Sequence, residues 1–117
     1  METKEIASGL VALCREGKFD EAMAAYYSDG IVSVEGNEFT VTGRAACEAK
    51  GAEWQSEHEV HGIEVEGPFV GAGQFVVRFK LDITVKASGQ RLIADEVGIY
   101  TVEDGKIVRE VFLFAGM

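Results

Sequence analysis

The stretch that decides the fold is residues 74–114, QFVVRFKLDITVKASGQRLIADEVGIYTVEDGKIVREVFLF. Its first part alternates. Phe75, Val77, Phe79, Leu81, Ile83 and Val85 fall on one face, and Arg78, Lys80, Asp82 and Thr84 on the other. That period of two is the mark of a half-buried antiparallel strand. Two turn signals, ASGQ and EDGK, divide the stretch and predict a meander of strands over 74–86, 91–102 and 106–114. The upstream segment HEVHGIEVEG also alternates and puts His61, Ile63 and Val65 on one face, with His58 out of phase and facing solvent. The glycines Gly71 and Gly73 in GPFVGAGQ read as a hairpin loop, because no strand-loop-helix context makes them a phosphate cradle.

The N-terminal part has the helical period instead. In TKEIASGLVALCREG, Ile6, Leu10, Leu13 and Cys14 share a face, with Thr3 as a cap and Gly17 as a stop. KFDEAMAAYYSDG repeats the pattern up to Asp29-Gly30. A short apolar piece, IVSVE, follows, and FTVTGRAACEAKGAEW enters a third helix capped by Thr42, with Lys50 and Trp54 one turn apart on one face. Helices first and strands after predict an α+β domain over residues 1–117, with three helices on one face of a curved sheet.

The chain has 117 residues and a net charge of −9. Nucleic acid and anionic membrane both need clustered Lys and Arg, so neither is expected as a partner. The N-terminus lacks the layout of a signal peptide, and no apolar run reaches membrane-spanning length, so the expected location is the cytoplasm. Cys14 and Cys47 lack metal-type spacing and are expected to be reduced and buried. His58 and His61 lie on opposite faces of a strand with no third ligand apparent, so no metal site is expected.

The adjacent acids Asp95 and Glu96 pose the functional question, because one of them must face the helices. If ASGQ closes with a two- or four-residue loop, Val85 faces Leu92, Leu81 faces Glu96 and Val77 faces Tyr100. Glu96 and Tyr100 are then inside and Asp95 is outside; a three-residue loop with a bulge at Gly89 reverses this. The next hairpin is open in the same way. A two-residue Asp104-Gly105 turn puts Arg109 beside Tyr100, whereas a three-residue turn from Glu103 brings Glu110 and Phe112 inside. With Glu110 inside, two carboxylates share an apolar cavity and one of them holds a proton near neutral pH.

Three segments, YYSDGIVSVEG, TGRAACEAKGAEW and FKLDITVKASGQRLIADEVGIYTVEDGKIVREVFLF, together resemble the SnoaL-like branch of the nuclear transport factor two-like superfamily. The resemblance implies a cone: three helices against a strongly bent, mixed, mostly antiparallel sheet, with an internal pocket. Relatives such as ketosteroid isomerase, scytalone dehydratase, limonene-epoxide hydrolase and polyketide cyclases place acid/base residues in that cone. No Tyr/Asp/Asp set of the isomerase type can be read here, so the fold transfers no mechanism. The expected catalytic residues are Glu96 and Glu110. The expected ligand-binding residues are Tyr100, His61, Trp54, Lys50 and Tyr27. The expected function is binding of a small, largely apolar molecule, with acid/base chemistry of the isomerase, dehydratase, cyclase or hydrolase type and no cofactor. The alternative is a non-catalytic binding or protein-interaction module. The outer sheet face, with Ile93, Val97, Ile99 and either Phe112 or Leu113, predicts a homodimer.

Overall fold

The computed structural model describes residues 2–36 and 39–114. Helices α1 (Thr3–Arg15) and α2 (Phe19–Tyr26) precede strands β1 (Tyr27–Glu35) and β2 (Phe39–Thr42). Helix α3 (Arg44–Glu57) follows, and then strands β3 (His58–Val70), β4 (Gln74–Val85), β5 (Gln90–Glu103) and β6 (Lys106–Phe114). The six strands form one open sheet in the order β2-β1-β6-β5-β4-β3. Only β1 and β6 run parallel; the other neighbours are antiparallel. The fold is thus α+β, with a mixed, mostly antiparallel cone-like sheet.

Helix α1 forms because Ile6, Ala7, Leu10, Val11 and Cys14 make one continuous stripe, and all five are buried against the sheet. Its cap is Glu2 and not Thr3; the Glu2 N–H donates to the Glu5 carboxylate at 3.1 Å. Helix α2 stops at Tyr26 rather than at Asp29-Gly30, and Tyr27 opens β1. The two helices approach closely at Gly9, where a Cβ would lie 1.9 Å from the Tyr26 hydroxyl. Helix α3 is entered from Gly43 (φ 98°), a left-handed conformation that glycine adopts at little cost, so Thr42 is not its cap.

On β4, Phe75, Val77, Phe79, Leu81 and Ile83 are buried against the helices, as the alternation predicts. The turn into β5 spans 86–89, with Val85 opposite Gln90. The partner of Glu96 is therefore Phe79, and that of Tyr100 is Phe75. The expected pairings with Leu81 and Val77 are off by two residues. A shift of two preserves which face each side chain occupies, so Glu96 and Tyr100 lie inside and Asp95 outside, where Arg78 holds it through two hydrogen bonds of 3.1 and 2.7 Å.

The β5–β6 hairpin combines features of both expectations. Its turn is the two-residue Asp104-Gly105 form, with φ of 51° and 75°. The ladder then slips between Thr101 and Val102, leaving Val108 as an extra residue. This bulge reverses the facing of everything beyond it. Tyr100 pairs with Glu110, Gly98 with Phe112 and Glu96 with Phe114, while Arg109 is exposed.

Candidate functional site

Strand register lays the inner face out in rows. Ser33, Glu110, Tyr100 and Phe75 are neighbours across β1, β6, β5 and β4. The next row is Glu35, Phe112, Gly98 and Val77, and the third is Phe114, Glu96 and Phe79. Helices α1, α2 and α3 roof these rows and leave a cavity of about 330 Å³. Its apolar part includes Leu10, Phe19, Met23, Leu81, Ile83 and Leu92; its polar end holds Glu35, Lys50, Glu96, Tyr100 and Glu110.

The glycine at 98 shapes the polar end. A Cβ there would sit 2.8 Å from the Tyr100 ring and 3.0 Å from its hydroxyl oxygen. Tyr100 therefore leans back along β5, over Gly98, toward Glu96. Its ring stacks on Phe75 at 4.8 Å and meets Phe112 edge-on at 6.2 Å. The residue is 2% exposed, and its hydroxyl has no hydrogen-bond partner among the described residues. Burial, with Glu110 adding repulsion, pushes its ionisation well above the ordinary phenol range.

The two inner carboxyls differ in surroundings. Glu110 is 3% exposed but well supplied: the Tyr27 hydroxyl donates to one oxygen and Ser33 Oγ to the other at 2.7 Å. Lys50 Nζ donates to the same Ser33 Oγ at 2.8 Å and pairs with Glu35 at 3.2 Å. Burial pushes the Glu110 carboxyl upward, against the pull of Tyr27, Ser33 and Lys50. Glu96 has no hydrogen bond or ion pair among the described residues, and its ladder partners are Phe79 on β4 and Phe114 on β6. Burial is the largest influence on it, followed by repulsion from Glu35 and Glu110. Lys50 opposes them, and the carboxyl is pushed up to about 7. A carboxyl of that kind can hold or release a proton near neutral pH.

Trp54, Lys50, Tyr27, Tyr100, Glu96 and Glu110 all line the cavity. His61 does not. Val60 pairs with Ile83 and Gly62 with Asp82, so His61 is the extra residue of a bulge. Its exposed ring bonds Thr84 Oγ1 at 2.7 Å on the outer face. The same bulge brings His58 inward, against the solvent-facing expectation. His58 lines the cavity, stacks on Trp54 at 4.4 Å, and its Nδ1 bonds the Trp54 carbonyl at 2.8 Å. A carbonyl only accepts, so Nδ1 carries the proton. Sequence reading also missed Glu35 and Ser33. Both sit on β1, whose in-phase polar residues Ser33 and Glu35 were the available signal. Cys14 and Cys47 are free and buried, and burial pushes the Cys14 thiol up to about 12. Among the described residues no group of His, Cys, Asp and Glu could hold a metal ion.

An open cone of sheet roofed by three helices, with carboxyls at the polar end of an apolar cavity, defines a class of small cavity-bearing α+β domains. The SnoaL-like domain family matches residues 1–114, and the chain belongs to that family. A crystal structure from Mesorhizobium loti, provisionally described as a SnoaL-like polyketide cyclase and as a carbohydrate phosphatase, is 44% identical with a TM-score of 0.93. The match covers 97% of this chain and 99% of that one. Two further structures share the fold at 16% identity, each with a TM-score of 0.79. One is a provisional SnoaL-like polyketide cyclase from Jannaschia sp. CCS1, with coverage of 94% of this chain and 85% of that one. The other is a provisional isomerase from Bacillus subtilis, with coverage of 98% and 90%. Among curated proteins, none matches the chain.

Proposed function

We propose that this protein binds a small, largely apolar molecule in the cone cavity and moves a proton on it with Glu96, without a cofactor. The observation that carries this reading is the placement of Glu96: an inner carboxyl without a protein partner, pushed up to about 7, beside the unpartnered Tyr100 hydroxyl. In this reading a ligand oxygen lies over Gly98. Tyr100 donates to it and Glu96 exchanges a proton with the adjacent carbon or oxygen. Glu110 acts at one remove, holding Tyr27 and Ser33 in place. Trp54, His58 and Lys50 contact the ligand. The M. loti relative's description as a polyketide cyclase fits an oxygen-bearing apolar substrate.

The test uses 2-acetylnaphthalene, an apolar ketone. The chain has one tryptophan, Trp54, and it lines the cavity, so quenching of its fluorescence reports occupancy directly. Proton transfer is read as deuterium exchange into the acetyl methyl group in D2O. Glu96→Gln is expected to keep binding and lower exchange by about 100-fold or more. Binding with no exchange in the native protein would replace the acid/base reading with that of a small-molecule binder.

We also infer that the protein acts as one domain in the cytoplasm and pairs with a second copy through the outer sheet face. There Ile93 is 57% and Leu113 46% exposed, and Val97 pairs directly with Leu113. Phe112 is on the inner face, so Leu113 is the residue available outside. A monomeric mass by sedimentation at micromolar concentration would refute the pairing.

A further inference from the structure

Lys50 is the only lysine or arginine among the described residues lining the cavity, and its ammonium is already engaged. It has three N–H donors. One reaches Ser33 Oγ at 2.8 Å, and Ser33 in turn donates to Glu110 at 2.7 Å. A second faces Glu35 at 3.2 Å. The group also lies 5.9 Å from the centroid of the Phe112 ring, the row neighbour of both Glu35 and Gly98. The cation therefore serves two carboxyls from one position over the β1–β6 pair. Glu96, one row further along, is not in contact with it.

The charge balance follows from this arrangement. Glu35 on β1, Glu96 on β5 and Glu110 on β6 share the cavity with a single ammonium, Lys50 from α3, and the Tyr100 hydroxyl and His58 of β3 line it as well. A neutral ketone oxygen can accept a hydrogen bond from the Tyr100 hydroxyl without disturbing any existing pair. A carboxylate brings a further negative charge against three carboxyl groups at the polar end of the cavity, Glu35 at its half-exposed rim and Glu96 and Glu110 deeper in, and like charges so close repel.

We propose that Glu35 is a specificity-determining residue: by engaging Lys50 it withholds the cavity's cation, so that the cavity takes ligands whose polar end is a neutral oxygen and rejects carboxylates. This deepens the reading of the cavity as the ligand site and rests on it. The role is electrostatic, and Glu35 needs no proton transfer to fulfil it.

The test compares two probes of nearly the same shape, 2-acetylnaphthalene and 2-naphthoate, by Trp54 quenching and by calorimetry at pH 7.5. The native protein is expected to bind the ketone at least about tenfold more tightly than the acid. In Glu35→Gln, naphthoate is expected to tighten by about tenfold or more, while the ketone moves by less than about threefold. Lys50→Met in the Glu35→Gln background is expected to abolish that gain, which a purely structural role for Glu35 does not foresee. Glu35→Ala serves as the second allele if Glu35→Gln does not fold. Equal binding of the two probes by the native protein, or naphthoate affinity unmoved by both Glu35 alleles while the ketone still binds, overturns the assignment and leaves the cavity reading intact. If the native protein binds neither probe, both fall.

Discussion

Replacing Glu96 by Gln should stabilise the protein in a pH-dependent way. In the unfolded chain a glutamate titrates near its ordinary value of 4.5; in the fold Glu96 is pushed up to about 7. The folded state thus holds the proton more tightly than the unfolded state. Below pH 4.5 both forms are protonated and the site costs nothing. Between pH 4.5 and 7 the unfolded chain ionises first, so stability falls as pH rises, and above 7 the penalty levels off. The span of 2.5 units at about 1.4 kcal/mol each gives a penalty on the order of 3 kcal/mol at neutral pH. Glutamine has nearly the same shape and does not ionise, so it removes this penalty. The assay is urea unfolding of native and variant protein from pH 4 to pH 8. The variant's stability relative to the native protein should climb by about 3 kcal/mol across that range, most of it between pH 5 and 7. The change with pH is the informative quantity, because any packing difference between Glu and Gln is nearly constant. A difference that stays flat, or that falls as pH rises, would refute the reasoning.

Three further predictions bear on the same cavity. Tyr27→Phe removes a donor from the 3%-exposed Glu110 and should cost about 1–3 kcal/mol in urea unfolding. Gly98→Ala forces a methyl group within 2.8 Å of the Tyr100 ring, so it should destabilise the fold by about 1–3 kcal/mol and weaken 2-acetylnaphthalene quenching of Trp54. His58→Ala should weaken that quenching titration several-fold, and His61→Ala should leave it unchanged. Equal effects of the two would mean that the β3 bulge does not set which histidine meets the ligand.

Much of the architecture was legible because β4 alternates with Val76 as its one apolar exception on the polar face. From Phe75 to Ile83 its buried positions match the sequence pattern, and the acids of β5 could be assigned from it by register. The error of two residues in the first turn did no harm, since face depends on parity alone. The parts that were not legible are those where one residue is added to a strand. The bulge at His61 is flanked by Gly62, and a lone glycine inside a strand pattern marks a bulge without telling which residue is left over; here it exchanges the roles of the two histidines. The bulge at Val108 has no glycine or proline beside it; it delivers Glu110 to the cavity through a turn that, taken alone, places Arg109 there. Glu35 and Ser33 were missed for a different reason. Their importance comes from β1 lying parallel to β6, a pairing of segments some 77 residues apart for Ser33 and Glu110 that local periodicity does not encode.

The central claim is that Glu96 is the cavity's titrating acid. Its direct measurement is the carboxyl carbon titration of the glutamates by NMR, with Glu96→Gln used to assign the resonance. A midpoint near 7 for Glu96 is the predicted result. A midpoint near the ordinary glutamate value of 4.5 would contradict the account.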